Sequence, residues 1–333
     1  MNSVFAVPLS FALAAITTID SLADESSVIA AGDHTGLKIE ANVSFTEGPA
    51  WHAPSKSVFF TDIINNRIMR RDALGALHIY RTPSGRANGL FFDRQNRLLA
   101  CEGGPGNRRV TRTEADGTIT ILTADFKGAK YNSPNDLVVD SKGRVFFTDP
   151  RYGNRDDMQI RADDGTAIEG VYRIDPDGSV AQVLGLEVHR PNGIAISEDE
   201  KHLFVADNAS GRPQGNRILW RFDFADDGSV DKRSRKALFD WGNSGSDRGP
   251  DGMCVGADGN LYVTAGLNFS DKPAMASKKY NGGIYVIDPL GKGLQRFIPI
   301  PLDDITNCVF GGEDGQTLFI TAGHRLFSIP IEQ

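Results

Sequence analysis

Short apolar runs, separated by turns rich in glycine, aspartate and asparagine, fill this chain from about residue 37 to its end. In GVYRID, Val171, Arg173 and Asp175 fall opposite Tyr172 and Ile174, which is the two-residue period of a half-buried strand. Related runs are RIMRRD, RRVTRTE, ILWRFD, GIYVID and RLFSIP, and several lead to hairpin turns such as Asp116-Gly117, Asp177-Gly178 and Asp227-Gly228. Ahead of each lies a more uniformly apolar strand: VFFTD, RLLACE, RVFFTDP, HLFVADN, NLYVTAG and TLFITAG. Ahead of that strand, in turn, one oxygen-bearing side chain opens an apolar run. These are Glu47 in TEGPAW, Asn88 in RANGLFFD, Asn135 in SPNDLVVD, Asn192 in RPNGIAIS, Asp251 in GPDGMCVG and Asn307 in ITNCVFGG. Their successive gaps are 41, 47, 57, 59 and 56 residues.

A repeat of this length, built from short strands, predicts an all-β fold: a six-bladed β-propeller of four-stranded antiparallel blades. Residues 37–333 form one domain on this pattern, because no Pro- or Ser-rich linker divides them. The sixth unit runs out of chain before its outer strand, so LKIEA (37–41) is expected to supply it and close the ring, removing a free sheet edge. The 36 glycines suit a protein full of tight turns.

A net charge of −7 without an extended basic face argues against a nucleic-acid partner, and the run from Asp231 to Lys236 is expected to be a solvated outer hairpin. The first 23 residues have an apolar centre from about Val4 to Ile16 and small residues near Ala23, but no Lys or Arg. They are expected to act as a signal peptide, with 24–36 as an extension and a periplasmic or secreted location for the mature chain. The apolar run is too short to serve as a comfortable membrane span. Cys101, Cys254 and Cys308 each fall in a predicted strand and are expected to be buried free thiols.

The inner strand of every propeller blade starts near the central axis, so the six oxygen-bearing residues converge there. They comprise two carboxylates and four amides, all hard oxygen donors, with no His or Cys among them. Such a set suits a divalent cation, Ca²⁺ first, with Mg²⁺ or Zn²⁺ as alternatives. Asn88 and Asn307 taken singly are expected to serve turns, as such residues commonly do. The connections between second and third strands should lie on the same face as the axial residues. The long ones, 150–169, 208–217 and 265–282, offer Arg151, Tyr152, Asn208, Arg212, Asn268 and Lys272 as pocket candidates. Tyr152 and Asn208 are the favoured substrate contacts, with Glu102 and Arg109 as further candidates.

Glu47-Gly48-Pro49-Ala50-Trp51, Asn132-Ser133-Pro134-Asn135-Asp136, Arg190-Pro191-Asn192-Gly193, Gly249-Pro250-Asp251-Gly252-Met253 and FFTDPRYG (146–153) resemble the gluconolactonase/regucalcin-type propellers. The resemblance runs in order along essentially all of the chain after residue 37. It implies one divalent metal near the axis, contacted by Glu47, Asn192 and Asp251, with Asn135 beside them as ligand or substrate contact. It also implies that Asp251 is the acid–base residue of a lactone hydrolase acting on a sugar lactone such as D-glucono-1,5-lactone. Two positions depart from relatives of this type. Cys101-Glu102-Gly103-Gly104 stands where several carry a His before the paired arginines, and Ser133 stands where regucalcin-like members carry an Arg.

Other chemistries find little support in the chain. No G-x-S-x-G elbow, H-E-x-x-H or phosphate loop occurs, and the six histidines are scattered. Two alternatives remain at this stage. One is a non-catalytic calcium-binding propeller; the other is a phosphotriesterase-like hydrolase of the diisopropyl-fluorophosphatase type, which uses a similar axial Glu/Asn/Asn/Asp set.

Overall fold

The structure is a computed structural model that describes residues 36–104, 106–210, 215–244, 248–267 and 281–331. The signal-peptide stretch, most of the extension, and the pocket candidates Arg212, Asn268 and Lys272 lie outside the described residues. Among the described residues, the strands form six four-stranded antiparallel sheets, with one small two-stranded ribbon at Asp125–Phe126 and Ala129–Lys130. Each sheet is one propeller blade. Five are continuous in sequence, and the sixth combines Ile305–Gly311, Thr317–Ala322 and Arg325–Pro330 with Lys38–Asn42 as its outer strand. The ends of the chain therefore pair, Lys38 opposite Ser328 and Asn42 opposite Arg325.

Strand alternation explains how the blades hold together. Successive side chains of a strand point to opposite faces, and in a propeller each face meets a different neighbour. In Val145–Asp149, Phe147 joins a buried cluster with Leu99 and Val110 of blade two, while Phe146 joins one with Ile194 and Leu203 of blade four. In Ser57–Asp62, Phe59 packs toward Leu90 and Leu98 of blade two, and Phe60 toward Phe319 and Leu326 of blade six. The remaining two clusters fill the interfaces between blades four and five and between five and six. Burial on both faces is why the second strands carry such uniformly apolar sequence.

Candidate functional site at the propeller axis

The axial residues sit in bulges. Pairing of the first and second strands breaks register between Glu47 and Ala50, Ala87 and Leu90, Pro191 and Ile194, Pro250 and Met253, and Ile305 and Asn307. A bulge releases residues from strict alternation and re-aims their side chains, which is how Asn88, Asn192 and Asp251 leave their sheets. Threonine side chains then lock neighbouring blades at this level. Thr61 Oγ1 donates to the Asn88 carbonyl (3.1 Å), Thr148 Oγ1 to that of Asn192 (2.6 Å) and Thr264 Oγ1 to that of Thr306 (2.9 Å). Thr306 Oγ1 closes the ring on the Thr46 carbonyl (3.0 Å).

This register corrects the sixth position. Ile305 pairs with Ala322 at the end of the second strand, as Pro191 does with Asp207, so Thr306 and not Asn307 is the counterpart of Asn192. Asn307 falls one step further along, at the position held by Gly48, Gly89, Gly193 and Gly252 in four other blades and by Asp136 in blade three. The two side chains meet across the ring, Asn307 Nδ2 donating to Asp136 Oδ2 (3.3 Å). Two of these glycines make room for them: a Cβ on Gly89 would lie 2.6 Å from Asp136 Oδ1, and one on Gly252 would lie 2.0 Å from Asn307 Cγ. Asn88 likewise leaves the turn role expected of it, because its amide lies beside the Glu47 carboxyl while its Oδ1 is buried without a hydrogen-bond partner among the described residues.

Glu47, Asn135, Asn192 and Asp251 are all buried. Glu47 accepts the Gly48 N–H at Oε2 (3.0 Å), yet no ion pair among the described residues reaches it or Asp136. Burial, reinforced by the neighbouring Asp136 charge, pushes the Glu47 carboxyl up to about 8, and burial pushes Asp136 up to about 6. Asn135 is fixed through its backbone, its N–H donating to the Thr148 carbonyl (2.9 Å) and its own carbonyl accepting from Gly89 (2.7 Å).

Tyr152 comes from the long connection between Val145–Asp149 and Gly170–Ile174, and its hydroxyl accepts the Asn192 Nδ2 hydrogen (2.7 Å). Burial first, then the nearby Asp251 charge, holds this phenol well above its usual range. Its ring lies under the Arg190 guanidinium, 4.9 Å to the centroid, and Arg190 in turn reaches Glu169 (3.3 Å). Asn208 is fully buried, packs against Gly249 two residues before Asp251, and has an Nδ2 without a partner among the described residues.

Glu102 and Arg109 meet in blade two. Glu102 accepts from Arg109 (2.8 Å) and Thr111 (2.9 Å) of its own blade and from Arg81 (2.7 Å) at the outer strand of blade one, so its oxygens are taken up by structural partners. Arg151 is turned onto Asp157 of its own loop (2.8 Å) and onto the Asn132 carbonyl that precedes the blade (3.1 Å). Of the two departures, Cys101 is buried in its strand. Ser133 permits a close approach, its Oγ donating to the Gly103 carbonyl (3.3 Å).

One set of residues escaped sequence reasoning. The second strands of blades one, three and four carry Asp62, Asp149 and Asp207 at or next to their ends. Each accepts the N–H of the residue two before the axial position: Phe45 (3.1 Å), Ser133 (2.7 Å) and Arg190 (2.7 Å). These carboxylates hold the incoming segment so that the axial side chain is aimed at the centre. Their recurrence 14 or 15 residues after Glu47, Asn135 and Asn192 is visible in the sequence and was the signal available.

Among the described residues no group of three or more His, Cys, Asp or Glu side chains gathers, so a cation here must rely on amide as well as carboxylate oxygens. Fold and site together define a six-bladed propeller with an oxygen-lined axial site. The chain belongs to the SMP-30/gluconolactonase/LRE-like family, whose sequence profile matches residues 45–324. It is 29% identical over 312 residues to a gluconolactonase of Zymomonas mobilis subsp. mobilis, covering 87% of this chain and 80% of that protein. It is 25% identical over 288 residues to the pentonolactonase XacC of Haloferax volcanii, covering 85% and 83%. Among solved structures, a gluconolactonase of Xanthomonas campestris superposes with a TM-score of 0.71 at 29% identity, covering 89% of each chain.

Proposed function

We propose that this protein hydrolyses a sugar lactone, of the D-glucono-1,5-lactone type, at the axial site. The observation that carries the proposal is the buried, carboxylate-bearing axial group in a chain whose relatives are named as lactonases. The residues fit a divalent cation. Glu47, buried beside a second carboxyl and pushed up to about 8, is mostly protonated near neutral pH, and a counter-charge close by would favour its ionised form. Glu47, Asn135, Asn192 and Asp251 are the residues that would hold it, and their all-oxygen chemistry favours Ca²⁺. When bound, the cation would polarise the lactone carbonyl and offset charge developing on its oxygen.

The protein's own groups supply the rest. Asp251 accepts a proton from the water that attacks the carbonyl carbon, and returns it to the ring oxygen as the C–O bond breaks, giving the hydroxy acid. Tyr152 holds the Asn192 amide by its nitrogen, which reserves the amide oxygen as a ligand atom. Asn208 Nδ2, a buried donor without a partner among the described residues, is available for a sugar hydroxyl or ring oxygen.

The test is proton release from glucono-1,5-lactone, corrected for spontaneous hydrolysis, after chelation and with Ca²⁺, Mg²⁺ or Zn²⁺ restored. A phosphotriester panel is run in parallel. A general base contributes about 10²–10⁴-fold, so Asp251→Asn is expected to lose that much turnover while staying folded. Full activity in folded Asp251→Asn protein removes Asp251 from this role. Turnover of phosphotriesters alone, or no turnover with any metal, overturns the lactonase assignment.

A further inference from the structure

Asp136 and Asn307 also line a cavity beyond the axial site. On the far side from Glu47 and Asp251, this cavity of about 310 Å³ opens toward the turns that join first and second strands. Leu137, Ile194, Met253 and Val309 give it largely apolar walls, and Cys254 and Cys308 also line it. These two cysteines lie on the inner strands of blades five and six, with their Sγ atoms 3.5 Å apart. Both are free thiols, Cys254 half-buried and Cys308 buried. The third cysteine, Cys101, is buried in blade two among a different set of side chains.

We propose that Cys254 and Cys308 are a dithiol–disulfide pair, oxidised by a small disulfide that enters through this cavity. Sulfurs already in contact on adjacent strands need to close by only about 1.5 Å to reach the bond length of about 2.05 Å. The half-buried Cys254 is the sulfur that a reagent in the cavity reaches first, and burial holds the Cys308 thiol well above its usual range. Cys254 therefore attacks first, as its thiolate, on one sulfur of the reagent disulfide. A mixed disulfide forms on Cys254, and the first reagent thiol leaves with a proton. Cys308 then attacks Cys254 Sγ, the second reagent thiol leaves with the Cys308 proton, and the protein disulfide is complete. Two protein thiols are oxidised and one reagent disulfide is reduced to two thiols.

The bond would tie together two inner strands otherwise joined through 53 intervening residues, one of them the strand that carries Asp251. A cross-link of that span stabilises chiefly by restricting the unfolded chain. It acts on the ring independently of any lactonase chemistry.

The experiment uses the full-length folded protein and 2-hydroxyethyl disulfide, followed by unfolding, thiol counting and mass spectrometry of unreduced peptides. The three thiols are expected to fall to one, with a peptide linking residues 254 and 308 and Cys101 untouched. The melting temperature should rise by about 5 °C and return on adding dithiothreitol. In Cys308→Ser the reaction should stop at a stable mixed disulfide on Cys254. Three thiols surviving in treated wild type would overturn the pairing. So would a wild-type adduct on Cys254 with no internal cross-link, since it would show that reagent enters but the strands do not close.

Discussion

Tyr152 occupies an unusual place for a phenol: half-buried, capped by Arg190 on its face and tied by its hydroxyl to the Asn192 amide. Groups that hold a ligand in one orientation affect affinity without touching the ion, typically by about 10–100-fold. Tyr152→Phe keeps the ring and its packing but frees the amide to rotate. Its expected outcome is roughly a tenfold weaker Ca²⁺ affinity by isothermal titration calorimetry with an almost unchanged melting temperature, in line with the lower end of that range. An equal loss of fold and affinity would instead make Tyr152 a packing residue. The residue could be singled out in sequence as part of a long polar connection, but its bond to Asn192, 40 residues away, could not.

At the level of the strand, the decisive device is the bulge followed by glycine. In four blades the bulge presents an oxygen donor to the axis and a glycine just past it; Gly89 and Gly252 clear space for Asp136 and Asn307, while Gly48 and Gly193 lie against the backbone of the next blade. Gly252 tests this most directly, because a Cβ there would fall 2.0 Å from Asn307 Cγ, which is already held by Asp136. Forcing extra volume into such a contact costs about 1–3 kcal/mol. Gly252→Ala is therefore expected to be destabilised by about that amount in urea titrations, and to weaken cation binding through displacement of the adjacent Asp251. The repeat legible in the sequence located the axial positions in five blades. It missed by one residue in the sixth, because ITNCVFGG carries its Asn where other blades carry glycine, and spacing alone cannot tell the two positions apart.

Across the whole molecule the buried carboxyls set a pH dependence. Glu47, Asp136 and Asp149 are raised to about 8, about 6 and about 7, chiefly by burial, whereas unfolded carboxyls titrate near 4. Between roughly pH 4 and 8 the folded state thus holds protons that the unfolded chain has released, so stability falls as pH rises through that window. Thermal scans of chelated protein should show a melting temperature that declines from pH 5 to pH 8. A cation competes with those protons for Glu47, so added Ca²⁺ should raise the melting temperature more at pH 8 than at pH 5. A flat profile would mean that these carboxyls are not raised by burial, and a calcium effect independent of pH would mean that Glu47 does not hold the cation.

The sequence by itself determined the blades, their number, the closing strand near residue 38, and five of the axial positions. Each of these follows from a local period: two residues within a strand, and a few tens of residues between repeats. The tertiary structure decided what those residues meet. It set Thr306 into the ring in place of Asn307, paired Asn307 with Asp136 from 171 positions away, and turned Asp62, Asp149 and Asp207 back onto the segments that precede the axis. It also brought Cys254 and Cys308 into contact. Such meetings arise only when bulged strands from different blades converge on one axis, and no local pattern along the chain encodes which side chain then faces which.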